Sequence, residues 1–181
     1  MMTWETSLIK SAIFLLATAG LGYVSRASLR KPRSHGFYRF FAWEAILGMF
    51  VLNLRTWFAD LFAWYQVCSW LLLILSIFPL IAGIIMLRTI GKPTDELEAT
   101  TELVTKGIFG LIRHPLYASL LYLAWGIFFK SPSILDGCLV IVASAFLYAT
   151  ARADEAECQV KFGDEYASYM KNTRMFIPFI F

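Results

Sequence analysis

The stretch 61-LFAWYQVCSWLLLILSIFPLIAGIIML-87, between Asp60 and Arg88, carries no charged residue. The hydrocarbon core of a bilayer is about 30 Å thick, and a helix needs about 20 apolar residues to cross it. The stretch therefore predicts a membrane-spanning helix. Pro79 lies inside it and predicts a kink, which helices buried in lipid tolerate because neighbouring groups satisfy the freed backbone.

The composition of the whole chain agrees with a membrane protein. The 181 residues are enough for one domain; 59% are hydrophobic and 16% are charged, with a mean hydropathy of +0.63. Soluble domains carry about 25% charged residues. The net charge of +3 is small and scattered, and the chain has neither a Walker loop nor a GxGxxG motif, so no nucleic-acid partner is expected.

Four more apolar segments bring the predicted number of spans to about five: 8–24, 40–58, 115–129 and 137–151. The first could be mistaken for a signal peptide, but Glu5 and the continuing hydrophobicity indicate a retained span. The last two are short and predict a helical hairpin. From Arg152 onward both signs of charge occur and predict a solvated helical tail, which ends in the apolar MFIPFIF at 175–181.

The predicted fold class is therefore an all-α integral membrane protein with a cytoplasmic C-terminal helical tail. We expect a single domain over 1–181, with three spans in 1–88. Residues 89–181 would form a catalytic region from a cytoplasmic connection, the hairpin and the tail. Cations concentrate in the first and third connections, at Arg26, Arg30, Lys31, Arg33 and Arg39, and at Arg88, Lys92, Lys106 and Arg113. By the positive-inside rule, the N-terminus is outside and the C-terminus cytoplasmic.

Arg113, His114 and Pro115 stand directly before the fourth predicted span. Proline is favoured at the first position of a helix, so Pro115 should begin the span and His114 should lie at its N-cap. Helix N-termini attract anions, Arg113 adds a bidentate anion donor, and Tyr117 adds an aromatic face. This pattern suits a ligand with a carboxylate and a flat ring. The alternative is a snorkelling arginine and an interfacial histidine that only set the helix boundary.

The acidic residues of two other segments each allow two interpretations. Asp154 and Glu155 open the tail helix and could face a cation or ribose hydroxyls, or simply match the helix dipole. Glu44 is either a functional acid within a span or a residue near the interface. His35 lies in a basic segment and is expected to be solvated. Three scattered cysteines, Cys68, Cys138 and Cys158, favour packing over a disulfide framework or a metal site.

Two motifs carry a resemblance to a known family. LVTKGIFGLIRHPLY at 103–117 resembles the LVxxGxYxxxRHPxY signature of the isoprenylcysteine carboxyl methyltransferase family, to which phospholipid N-methyltransferases are distantly related. DEAECQVKFGDEYASYMKNTRMFIP at 154–178 resembles its second signature, an acidic pair followed by FGxEYxxY. The resemblance covers about 101–178 and implies a methyltransferase that uses S-adenosylmethionine, releases S-adenosylhomocysteine and has no Rossmann domain.

The resemblance also implies which residues form the site. Its cofactor-binding positions fall on Thr101, Glu102, Leu103, Val104, Phe109, His114, Pro115, Leu116, Tyr117, Asp154 and Glu155. Arg113 matches the motif arginine. The family's arginine that holds the substrate carboxylate falls near Thr150, so Arg152, one turn away, is the first candidate and Arg174 the second. Phe109 stands where tyrosine is common, and Ser119 where glycine is common.

The expected reaction is O-methylation of the α-carboxylate of a C-terminal prenylcysteine, or a similar lipid-tailed carboxylate, entering from the bilayer at the cytoplasmic face. Arg152, Glu155 and Arg113 are the expected catalytic residues. The alternative is N-methylation of a phospholipid amine, with Glu155, Glu157 or His114 as proton acceptor. Two remoter alternatives are a sterol-reductase-like oxidoreductase, whose typical asparagine before the tyrosine is absent here, and a scaffold with degenerate motifs.

Overall fold

The computed structural model describes residues 4–93 and 100–180, with side chains from residue 7 onward. Part of the predicted cytoplasmic connection, 94–99, and the last residue of the apolar end, 181, lie outside the described residues. Helices and one short 3-10 turn at Gly107–Gly110 make up the described structure. The helices are α1 Trp4–Val24, α2 Arg26–Leu29, α3 His35–Leu52, α4 Trp64–Thr89, α5 Pro115–Phe128 and α6 Ile134–Asn172.

The all-α fold class is confirmed. In the part of the chain that the structure describes, β structure is limited to two isolated bridges and no strand forms. Three helices are long and apolar enough to cross a membrane: Ser7–Val24, Trp64–Thr89 and Ile134–Asn172. The 14-residue α5 is a shorter apolar helix, and α3 is not among the three, so a total of five spans stays a prediction.

The second predicted span is displaced toward the N-terminus, because α3 covers His35–Leu52 instead of 40–58. Ser34 caps the helix, and its side chain accepts a hydrogen bond from the Phe37 amide at 3.2 Å. The cap fixes the helix start ahead of the apolar run. Glu44 consequently lies in the middle of α3, where its Oε2 accepts a hydrogen bond from the Thr18 hydroxyl of α1 at 2.7 Å.

The fifth predicted span and the predicted tail form one helix. α6 covers 39 residues, in which a kink at Gly163 joins two helical parts. The first part, 134–162, is about 43 Å long, so only its apolar residues, 134–151, fit within a hydrocarbon core of about 30 Å. The part from Arg152 onward extends beyond that core. Gly163 interrupts the helical geometry with a φ of 55°, a backbone conformation that glycine adopts without steric cost.

Neighbouring helices run antiparallel, which contacts at both ends of each pair demonstrate. The pairs are Lys10 with Leu52 and Thr18 with Glu44 for α1 and α3, His35 with Glu157 and Asn53 with Asp136 for α3 and α6, and Gln66 with Lys130 and Gly83 with Leu116 for α4 and α5. The N-termini of α3 and α5 therefore lie at the same end of the bundle as the C-terminal part of α6. We call this the polar end.

Lys130 lies at the opposite end and does not snorkel. It is 1% exposed, and its ammonium group lies 3.6 Å from the centre of the Trp70 ring. It also donates a hydrogen bond to Gln66 Oε1 at 3.1 Å. Two partners inside the bundle thus replace the contact with water, and Lys130 joins the end of α5 to α4.

The segment after α6 folds back onto the polar end. Ile112 and Arg174 form a parallel bridge, and the Arg113 amide donates a hydrogen bond to the Arg174 carbonyl at 2.7 Å. Met175 and Phe176 are buried in the core, whereas Phe179 and Ile180 are exposed. The first residues of the apolar end therefore pack against the bundle, and only its last described residues are exposed.

Candidate functional site

α5 and α6 meet at the polar end through charged side chains. Pro115 occupies the first turn of α5 and His114 its N-cap, as the sequence predicts. Glu155 lies on α6 just beyond the apolar part of that helix. Its carboxylate is 4% exposed and bonds to side chains from both segments, so it fixes the start of α5 against α6.

Three basic side chains surround the Glu155 carboxylate. Arg113 donates from Nε to Oε1 at 2.8 Å, and His114 Nε2 lies 3.4 Å from the same oxygen. Arg152 donates from Nη1 to Oε2 at 2.9 Å. His114 also places Nδ1 3.3 Å from Asp154 Oδ2. The result is an ionic cluster in which two carboxylates face two arginines and one histidine, with Glu155 and His114 buried at its centre.

The opposite charges around Glu155 and His114 favour the ionised forms of these two side chains. Burial alone would raise the pKa of Glu155, but hydrogen bonds from His114 and Arg113 outweigh it and lower that pKa to about 2. Burial alone would lower the pKa of His114, but hydrogen bonds and charge from Asp154 and Glu155 outweigh it, and the pKa of His114 is raised. Glu155 is thus a carboxylate at neutral pH and a weak proton acceptor.

A cavity, partly open to solvent, lies beside this cluster. Tyr117 stacks on His114 in its wall, with ring centres 5.4 Å apart. Tyr169 donates a hydrogen bond to the Phe109 carbonyl at 2.6 Å, which joins α6 to the loop before α5. Apolar side chains supply most of the remaining wall.

Most of the cofactor-binding residues predicted from the sequence come together in this cavity. Those in its wall are Leu103, Val104, Phe109, His114, Pro115, Leu116, Tyr117 and Asp154, together with the predicted catalytic residue Arg113. Glu155 lies behind His114 instead of in the wall. The sequence separates these residues by about 50 positions, and the antiparallel bundle brings them together.

The other predicted site residues lie apart from the cavity wall. Glu102 is exposed and pairs with Lys92 at 2.5 Å, and the Thr101 hydroxyl donates to the Lys92 carbonyl at 3.1 Å. The Arg152 side chain is 57% exposed, although it reaches Glu155. Arg174 is exposed and contributes its backbone to the bridge with Ile112. Neither arginine predicted to hold a carboxylate lines the cavity.

Sequence reasoning missed six residues of the wall: Leu87, Thr100, Cys158, Phe162, Tyr166 and Tyr169. Four of them follow Asp154 at spacings of four, four, four and three residues along α6. The spacing from Asp154 through Cys158 to Phe162 places side chains on one face of a helix, so helical periodicity would have found these two. Tyr166 and Tyr169 follow the kink at Gly163, which a helical pattern does not predict. Leu87 and Thr100 have no comparable signal, because only the packing of α4 and its following loop brings them to the cavity.

Cys158 is not an activated nucleophile. Burial, reinforced by the nearby charges of Asp154 and Glu157, raises the pKa of its thiol to about 12. The thiolate is the nucleophilic form of cysteine, and a buried thiol with this pKa is protonated at neutral pH. The Cys158 side chain therefore contributes shape to the cavity wall.

The bundle and its charged site define a membrane-embedded helical protein with a partly open cavity at one end. The family model of phospholipid methyltransferases matches residues 64–163, more than half of the chain. The chain belongs to the phospholipid methyltransferase family, one of the membrane methyltransferases related to the isoprenylcysteine carboxyl methyltransferases. Searches among curated proteins and among solved structures gave no match.

Proposed function

We propose that this protein transfers a methyl group from S-adenosylmethionine to the headgroup amine of a phospholipid. The observation that carries the proposal is the cavity at the polar end, because it joins His114, Tyr117 and Asp154 in a member of a methyltransferase family. By the distribution of cations, the polar end faces the cytoplasm. We propose that α3 and α5 also cross the bilayer, which gives five spans in one domain.

The cavity wall fits this cofactor chemically. Phe109, Val104 and Leu103 offer an apolar and aromatic surface for an adenine ring. The first turn of α5 offers backbone amides and a positive dipole end to a carboxylate. When bound, S-adenosylmethionine would supply an electrophilic methyl group and leave as a neutral thioether.

The headgroup amine must be neutral to attack, and it loses a proton as the carbon–nitrogen bond forms. Among the described residues of the wall, Asp154 is the only carboxylate, so it is the proton acceptor in this proposal. Glu155 holds Arg113 and His114 in place and is a positioning residue. Since the two reactants would meet in one small cavity, positioning can supply about 7–11 kcal/mol of the barrier.

The second candidate is the reaction expected from the two motifs, O-methylation of a prenylcysteine carboxylate. That acceptor is already ionised and needs no proton acceptor, but an arginine should hold it. Arg152 is the nearest candidate because it reaches Glu155 at 2.9 Å, and Arg174 is the next. Both lie outside the cavity wall, and the arginine within it, Arg113, is already paired with Glu155, which favours the amine as acceptor.

The first experiment measures binding of S-adenosylhomocysteine to the purified protein in detergent by calorimetry. We expect wild-type protein to bind and His114→Ala to bind at least 10-fold more weakly, because the substitution removes a wall residue at the start of α5. His114→Ala also disturbs the ionic cluster, so Cys158→Trp provides a second variant that fills the cavity without removing a charge.

Cys138→Trp is the matched control, because Cys138 is exposed on the apolar part of the same helix. We expect it to bind like the wild type. Equal affinity in wild type, His114→Ala and Cys158→Trp would contradict the proposed cavity. With binding established, methylation of phosphatidylethanolamine and of a prenylcysteine would be compared, and methylation of the prenylcysteine alone would replace the first candidate by the second.

A further inference from the structure

A second cavity continues from the candidate site along α5. It shares Leu116 and Tyr117 with the first cavity and reaches the polar ends of α1 and α3. Its wall includes Ser25, Ser28, Arg39, Trp43, Leu116 and Tyr117. We call it the head groove. It is partly open to its surroundings.

A third cavity extends the head groove toward the opposite end of the bundle. The two share Trp43 and Leu120, and the third cavity is lined by apolar and aromatic side chains that include Ile46, Leu47, Leu123 and Ile127. We call it the tail groove. Tyr117, Leu120, Leu123 and Ile127 lie on one face of α5, so the combined grooves follow that helix for about 15 Å.

The charge in these grooves is confined to one place. Arg39 is the only charged residue among the described residues that line them. It is half-buried one turn inside α3, and its guanidinium carbon lies 5.2 Å from the centre of the Trp43 ring. The hydroxyls of Ser25 and Ser28 are at the same end. The grooves thus offer a cation beside the candidate site and an apolar surface beyond it.

We propose that these grooves bind the acceptor lipid, and that Arg39 binds the phosphodiester of a phospholipid while the tail groove holds an acyl chain. The inference rests on the proposed function and names its acceptor site. In an ethanolamine headgroup the phosphate is two carbons from the amine, so a cation that binds it must adjoin the cavity in which the amine reacts. Arg39 lines a groove that shares Leu116 and Tyr117 with that cavity, and guanidinium groups bind phosphate through two hydrogen bonds.

The kinetic test compares Arg39→Gln with wild type, using phosphatidylethanolamine as acceptor. We expect KM for the lipid to rise about 10- to 100-fold, the value of one charge-assisted interaction, while affinity for S-adenosylhomocysteine stays unchanged. Arg39→Lys should recover part of the loss, because it restores the charge without the planar fork. Arg30→Gln is the matched control, since Arg30 is exposed at the same end and lies outside both grooves.

The binding test does not depend on activity. A phospholipid brominated on its acyl chain should quench the fluorescence of Trp43, and the quenching should fall in Trp43→Phe. In Arg39→Gln, about 10-fold more brominated phosphatidylethanolamine should be needed to reach the same quenching. Brominated diacylglycerol, which lacks the phosphate, should bind wild type and Arg39→Gln alike.

An unchanged KM and unchanged quenching in Arg39→Gln would overturn the proposal. Loss of prenylcysteine methylation alone in that variant would also overturn it, because the cation would then serve a carboxylate. If wild-type protein binds S-adenosylhomocysteine but shows no Trp43 quenching, lipid binding in the grooves is contradicted and the proposed methyltransferase function is not. If quenching depends on Arg39 but the cofactor does not bind, lipid binding in the grooves is supported and the proposed function is contradicted.

Discussion

At the scale of single residues, Glu155 is the side chain on which the site depends. It is 3% exposed and accepts hydrogen bonds from Arg113 of one segment and Arg152 of another. A buried carboxylate is stable only when it is paired, and removal of one partner leaves the others uncompensated. The sequence-based expectation of a catalytic Glu155 therefore becomes a hypothesis of a positioning role.

Glu155→Gln should destabilise the protein strongly. The substitution keeps the shape of the side chain but removes the charge that Arg113 and His114 face, and breaking a buried ion pair costs about 3–5 kcal/mol. The measurement is the free energy of unfolding in detergent, followed by circular dichroism.

Arg152→Gln is the control for this prediction, because its side chain is 57% exposed although it pairs with the same carboxylate. An exposed ion pair contributes about 0–1 kcal/mol. Similar losses of stability in Arg152→Gln and Glu155→Gln would contradict the hypothesis that the buried pair of Glu155 with Arg113 contributes more to the free energy of unfolding than the exposed pair with Arg152.

At the scale of elements, the close approach of α4 and α5 positions the start of α5. Gly83 and Gly126 lie at the two ends of this interface. A Cβ at Gly83 would lie 2.5 Å from Leu116, and one at Gly126 would lie 2.9 Å from the Leu73 side chain and 3.2 Å from its backbone nitrogen. Glycine at these positions lets the helices pack at a distance that a larger residue would not allow.

Gly126→Ala should destabilise the bundle, because backbone of α4 must move to admit the methyl group. Overpacking costs about 1–3 kcal/mol, against a gain of up to about 1 kcal/mol from the higher helix propensity of alanine. Gly20→Ala in α1 is the control, since no atom lies within 4 Å of its Cβ, and it should leave stability equal or higher. A destabilisation in both variants would refute packing as the cause.

The sequence predicted the kind of element better than its limits. The segment 115–129 and the observed α5 agree within one residue, because Pro115 begins the helix and its effect is local. Hydropathy placed α3 too late, since the cap at Ser34 lies in a polar segment. Hydropathy also divided α6 at Arg152, although a helix can continue from lipid into water without a change in its backbone hydrogen bonds.

At the scale of the whole molecule, the antiparallel order of the helices brings the candidate site residues together at the polar end. α3 brings Arg39, α5 brings His114 and α6 brings Asp154 to one region. If α1, α3, α4, α5 and α6 all cross the bilayer, the connections at 25–34 and 90–114 lie on one side of it, and those at 53–63 and 129–133 on the other.

Labelling of single cysteines tests this topology. In a variant without the three native cysteines, Ala59→Cys should react with a membrane-impermeant maleimide in intact cells. Lys31→Cys should react only after the membrane is permeabilised, because its connection is rich in cations and should face the cytoplasm. Both positions are exposed, so accessibility to the reagent depends on the side of the membrane. The reverse pattern would place the polar end outside.

The sequence alone determined that the protein is a helical membrane protein, because long uncharged segments are stable only as helices in lipid. It also located the start of α5 and the acidic pair, since proline and helix-terminal charge act over short distances. The tertiary structure decided what these residues face. Glu155 is buried among three basic side chains, Arg152 and Arg174 lie outside the cavity wall, and Arg39 adjoins the cavity. Such placements depend on contacts between distant segments, which local sequence patterns do not encode.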